Sequence, residues 1–184
     1  NTTGNYNTAI DLDSLLNNTT GTNNVATGWN SLMNNTTGDS NVATGAYALA
    51  SNTTGYYNTA TGTESLINTT TGHNNTANGY KSLQANISGY ENTALGAFAL
   101  QANIGGDYNS AFGYSSLKNN TEGDANVASG YEALKANTTG GYNVGMGCGA
   151  LGSNTTGNFN TALGEGTLGD NTTASYNVGI GGYA

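Results

Sequence analysis

Residues 52–68 read N-T-T-G-Y-Y-N-T-A-T-G-T-E-S-L-I-N, a stretch with one carboxylate, no base and no obvious nucleophile. The same pattern precedes it in residues 35–51 as N-T-T-G-D-S-N-V-A-T-G-A-Y-A-L-A-S, and it recurs along the whole chain. Self-similarity at a fixed period identifies a repeat architecture, so the period decides the fold before any other feature does.

The register is strict. Asn7, Asn24, Asn41, Asn58, Asn75, Asn92, Asn109, Asn126, Asn143, Asn160 and Asn177 stand seventeen residues apart, without insertion or deletion. Leu15 and its copies from Leu32 to Leu168 keep the same phase, as does the glycine column that begins at Gly4. The consensus is N-T-T-G-x-x-N-[TV]-A-x-G-x-x-[SA]-L-x-x, and the eleventh unit stops three residues short, at Ala184.

Composition points the same way. Of 184 residues only 35% are apolar and 8% charged, with 29 glycines and no proline. A disordered chain of this polarity loses its pattern or carries many charges, whereas this one keeps its register, so every turn occupies the same physical environment. Seventeen residues are too few for the helix pairs of helical arrays, and each unit places Gly, Thr and Asn where a helix needs formers. Short strands punctuated by turns remain. The expectation is an all-β, single-domain parallel solenoid of eleven coils over residues 1–184. Each coil has two strands, one in N-[TV]-A-x-G and one in x-[SA]-L-x-x-N-T-T-G. Coils stacked at the ordinary interstrand spacing of about 4.8 Å make a rod of roughly 50 Å.

A thin solenoid has little interior, so its cohesion rests on main-chain bonds and on ladders of identical side chains. The eleven asparagines of the Asn7 column are read as such a ladder. Ala9 and Leu15 hold their phase and are assigned to the interior, where volume is fixed. The Thr8 and Ile10 columns are assigned outward, because the latter accepts Asn78 and Phe112 alike.

The units N-V-A-T-G-x-x-x-L at residues 24–32 and N-T-A-L-G-A-F-A-L at residues 92–100 resemble the S/N-x-A-x-G-x-x-A repeats in the heads of trimeric autotransporter adhesins. Related bacteriophage tail-fibre and bacterial surface-fibre proteins carry similar repeats. The resemblance spans the chain and implies a left-handed β-roll, often trimeric, in the stalk or head of an extracellular fibre on a cell surface or virion. The seventeen-residue unit and its N-T-T-G corner depart from that pattern.

Several function classes are excluded or weakened. Three basic residues against eleven acids give a net charge of −8, which provides no electrostatic footprint for nucleic acid or an anionic membrane. No apolar stretch approaches the length of a membrane span, so no membrane insertion is expected. The single His73, single Cys148 and scattered carboxylates form no acid, base and nucleophile constellation. The chain therefore reads as a non-enzyme without cofactor. His73 shares the turn phase of Asp39 and Tyr56 and reads as a solvated corner residue. Gly145 to Gly149, G-M-G-C-G, imitates a phosphate loop but opens no helix. Asp107 and Asp124 share a phase in adjacent coils, yet two ligands make no calcium site, and no metal is assigned.

Three surface features are candidates for function. Tyr6, Tyr57, Tyr108 and Tyr142, followed by Phe159 and Tyr176, share one turn phase; Trp29, Tyr80, Tyr114 and Tyr131 share another. These columns are where a cell-surface glycan would stack, although corner aromatics also stack on one another. The pairs Val25/Thr27, Val42/Thr44 and Thr59/Thr61 suggest an ice-binding array, which fails further on at Thr93/Leu95 and Ser110/Phe112. Finally, Asn1, Asn18, Asn35, Asn52, Asn86, Asn137, Asn154 and Asn171, with Asn68 and Asn119 in shifted positions, begin Asn-x-Thr/Ser acceptor patterns for glycans. The alternative is that Asn and Thr simply suit a corner. The sequence opens and closes in mid-pattern, so it reads as a portion of something longer. Its end coils are expected to stack on further copies, forming a filament.

Overall fold

The computed structural model describes residues 2–184. It contains eleven three-residue strands, from β1 (Thr8–Ile10) to β11 (Val178–Ile180), which form one parallel sheet in sequence order. The described residues contain no helix. Each strand pairs with its neighbour at a shift of one repeat. Val42, Ala43 and Thr44 of β3 (Val42–Thr44) face Thr59, Ala60 and Thr61 of β4 (Thr59–Thr61). The chain is a parallel β-solenoid with one coil per seventeen residues.

The strand forms where β-branched Thr or Val precedes a small alanine, a pair suited to a pleat with one crowded face. Its middle residue points inward and its outer two point away, giving the exposed-buried-exposed pattern of β3 and β4. A glycine follows every strand except β1, which Asp11 follows, and it does so for two reasons. Gly62 has φ 130°, and a Cβ placed on it would lie 2.7 Å from the carbonyl oxygen of Gly79 in the next coil. Both the backbone angle and the close approach of coils require glycine there.

The expected second strand is absent. The segment from the Ser/Ala position to the N-T-T-G corner forms consecutive turns. The cause is visible in the dihedrals: Asn30 and Leu32 have φ 58° and 49°, and Tyr47 and Leu49 have φ 59° and 52°. A strand cannot pass through left-handed residues two apart. Each such L-residue costs about 1–2 kcal/mol, so the conformation persists only because neighbouring coils fix it. The Leu32 N–H donates to Ala48 O of the next coil at 3.0 Å, and Asn35 N–H donates to Leu32 O at 3.1 Å. The reward for the strained leucine is complete burial, since Leu32, Leu49 and Leu66 are all 0% exposed.

The core is correspondingly narrow. A typical central coil contributes one leucine, one alanine, one small residue such as Ser65 or Ala99, and two asparagines, with Thr69 replacing one asparagine and Gly145 one alanine. The Ala9 and Leu15 columns face inward as expected, although Ala9 itself, in the first coil, is exposed.

Candidate functional site

Two asparagine columns run inside the rod. In the Asn7 column, Asn58 Nδ2 donates to Gly72 O at 2.8 Å, while Asn58 Oδ1 accepts Asn75 N at 3.0 Å and Asn75 Nδ2 at 3.2 Å. Each of these amides engages the following coil at both its donor and its acceptor. The pattern recurs from Asn24 onward, for example where Asn109 Nδ2 reaches Gly123 O at 2.8 Å.

The sequence offers the second column either as possible glycan acceptors or as residues that suit a corner, and the structure places it in the interior. Asn18, Asn35, Asn52, Asn86, Asn137 and Asn154 are at most 2% exposed. Asn35 Nδ2 donates to Asn18 Oδ1 at 2.7 Å and to Gly38 O at 2.9 Å. Asn154 repeats this toward Asn137 and Gly157. Both amide hydrogens are used, and no path leads from Nδ2 to solvent, so the folded coil leaves no room for a sugar. Asn171, in the last coil, is half-buried and makes the same two bonds. Asn68 and Asn119, in the shifted positions, are exposed. Asn1 lies outside the described residues.

The aromatic side chains line the edges of the strand face. Tyr142, Phe159 and Tyr176 stack at centroid distances of 4.9 and 5.1 Å, with ring planes within 7°. Trp29 meets Tyr47 edge-on at 4.9 Å. Tyr80, Phe98 and Tyr114 meet edge to face, and Tyr114 stacks on Tyr131 at 5.6 Å. Tyr6 and Tyr57 are the most open members of their column before the last coil, at 85% and 62% exposed. Rings stacked along the rod turn their faces to each other and present edges to solvent. That geometry favours cohesion between coils over sugar stacking, which needs a free face.

Tyr47, Phe98, Tyr56 and Tyr90 also belong to these clusters and were not singled out from sequence. Their signal was present, because Tyr47 and Phe98 share one phase and Tyr56 and Tyr90 another. His73 joins the second group. It is half-buried and stacked between Tyr56 at 4.7 Å and Tyr90 at 5.1 Å, a more confined setting than a solvated corner.

The carboxylates at the His73 phase serve the backbone. Asp124 Oδ1 accepts Asp107 N at 2.8 Å, Asp107 Oδ1 accepts Tyr90 N at 2.9 Å, and Asp39 Oδ1 accepts Thr22 N at 2.6 Å. Each satisfies a main-chain donor one coil back. Among the described residues no three His, Cys, Asp or Glu side chains gather into a metal-binding group.

The three lysines lie in one stretch of the rod. Lys81 pairs with Glu64 at 3.4 Å, Lys135 with Glu132 at 2.8 Å, and Lys118 lies 5.3 Å from the Phe98 centroid. The hydrogen bond from Lys135 lowers the Glu132 pKa and raises its own. Gln84 joins this group by donating to Glu64 at 2.8 Å and accepting from Gln101 at 2.9 Å.

On the strand face, paired Thr/Val residues extend over β2 (Val25–Thr27), β3 and β4, and the run breaks at Asn78 and Leu95. Beyond that point the outward residues are mainly apolar: Leu95, Phe112, Met146 and Ile180 are each at least 38% exposed. No helix among the described residues is long and apolar enough to cross a membrane. Fold and surface together define a repeat solenoid whose chemistry lies in its ladders. Comparison with protein-family models, curated proteins and solved structures finds no match.

Proposed function

We propose that this chain is a structural segment of an extracellular fibre, on a cell surface or virion, in a stalk, adhesin head or tail fibre. Its activity is mechanical: to be long and stiff while presenting a surface. The observation that carries this reading is the unbroken register of all eleven strands, with coil bound to coil by backbone bonds, two asparagine columns and aromatic stacks. Asp39, Asp107 and Asp124 likewise spend a carboxylate oxygen on a main-chain N–H, so they too serve the stacking of coils. The resemblance of its repeats to those of adhesin heads and tail fibres supports the same conclusion.

Its principal partner is itself. The exposed apolar residues of the strand face, Leu95, Phe112 and Met146 among them, suit lateral packing against further copies in a homotrimer, and the end coils suit end-to-end growth into a filament. Electron microscopy combined with sedimentation tests the proposal. Straight particles of uniform width, sedimenting as assemblies, are expected. Isolated single chains at all accessible concentrations would overturn the self-association, and irregular flexible particles would overturn the fibre role.

A further inference from the structure

Tyr90 and Tyr108 belong to adjacent coils, and their hydroxyl groups meet. The Tyr108 and Tyr90 hydroxyl oxygens share a hydrogen bond at 3.4 Å, with the ring centroids 5.2 Å apart and the planes at 80°. His73 stacks on Tyr90 at 5.1 Å and holds that ring in place, while Tyr108 is 51% exposed. Because the oxygens meet, the ring carbons ortho to them lie at the same end of the ring pair.

We infer that Tyr90 and Tyr108 are a site of oxidative modification, at which a peroxidase-type oxidant couples the two rings into an intrachain dityrosine that fastens adjacent coils. Each phenol gives one electron and one proton to the peroxide-derived oxidant. The two phenoxyl radicals then join through a new bond between ortho carbons. The hydrogen on each bonded carbon moves to the oxygen of its own ring, which restores both phenols. One hydrogen peroxide is reduced to two waters, and the chain loses one H2.

The other tyrosine pairs are arranged differently. A biaryl bond lies in the planes of both rings, which can be twisted about it but not stacked. Tyr114 and Tyr131 are stacked within 9° of parallel, so coupling them requires both rings to swing out. Phe159 separates Tyr142 from Tyr176. Among the described residues, only the Tyr90 and Tyr108 pair combines crossed planes with touching hydroxyls across two coils.

The test exposes dilute rods to a haem peroxidase and one equivalent of hydrogen peroxide, followed by cleavage after acidic residues. Glu91 and Asp107 lie between the two tyrosines, so cleavage separates them unless they are bonded. The expected result is a monomeric chain lighter by one H2, with residues 65–91 joined to residues 108–122 and dityrosine fluorescence in that joined peptide. Tyr90→Phe and Tyr108→Phe, which keep the rings and the fold, each lose the joined peptide. The inference is overturned if the joined peptide survives either substitution. It is equally overturned if coupling is only intermolecular, or is spread over other exposed tyrosines such as Tyr57 and Tyr142.

Discussion

Asn52 Oδ1 points toward Thr69, the one residue in its column that is not asparagine, and this buried oxygen has no hydrogen-bond partner. One coil further on, Asn86 Nδ2 keeps its bond to Gly89 O at 3.1 Å but meets Thr69 Oγ1 at 3.4 Å, where its counterparts meet an amide oxygen at 2.7–3.0 Å. The ladder is broken at a single rung, and a buried unsatisfied acceptor costs roughly 1–3 kcal/mol. Thr69→Asn is therefore expected to stabilise the rod by about 1–2 kcal/mol. Chemical denaturation of the variant beside the parent checks this, and an unchanged or lower midpoint would show that the threonine fits its coil better than an asparagine does.

The glycine column makes a contrasting pair. Gly62→Ala brings a Cβ to 2.7 Å from Gly79 O at φ 130° and should destabilise the rod by at least about 3 kcal/mol. Gly149 has φ 63° and open space around its Cβ direction, and other coils carry Tyr, Glu or Lys at this position in the same conformation. Gly149→Ala should therefore cost only the left-handed penalty of about 1–2 kcal/mol. Thermal unfolding of the two variants measures the contrast, and equal losses would refute the account of coil spacing.

Glycan acceptors divide by location. In a host that attaches N-linked sugars, the described acceptors of folded rods should carry them at Asn68 and Asn119 at most, with the Asn35, Asn52, Asn86, Asn137 and Asn154 amides bare. Site-resolved mass spectrometry of the folded fraction reads this directly. A sugar on Asn35 in protease-resistant rods would contradict the interior ladder.

Alkaline pH acts on Tyr90. The hydrogen bond with Tyr108, then the negative charge of Asp107, raise the Tyr90 pKa above its ordinary value of 10.0. The folded rod thus holds this proton more tightly than the unfolded chain does. The resulting stability is fully present below pH 10.0 and is lost as pH rises through the raised folded value. Ultraviolet titration should find Tyr90 among the last phenols to ionise in the parent and shifted back toward the others in Tyr108→Phe. If both proteins titrate alike, the hydroxyl contact is not maintained in solution.

What was legible in the sequence follows from what the fold repeats without variation. The period fixed the solenoid and the parallel register, and the inward direction of Ala26 and Leu32 followed from columns that tolerate little change. The turn-built half of each coil was not legible. Nothing in the identity of Leu32 announces φ 49°, because a branched apolar residue ordinarily argues for a strand. That misreading also hid the asparagines from Asn18 to Asn154. In a strand-and-corner coil they belong to an exposed bend, whereas successive left-handed turns fold them under the Leu column. The same turns explain the missed aromatics. Neighbouring residues on a strand face opposite ways, but with Tyr47 at φ 59° its ring swings round to meet Trp29.

The close approach of Gly62 to Gly79, together with the two amide columns, has a bearing on how such a molecule changes over generations. A single inserted or deleted residue would shift the glycines and asparagines of its coil against the partners that meet them in the adjacent coils. Length variation is thereby confined to whole coils. The reach of the rod is in effect counted in integers, and duplication or loss of a complete repeat is the smallest change that leaves every ladder continuous.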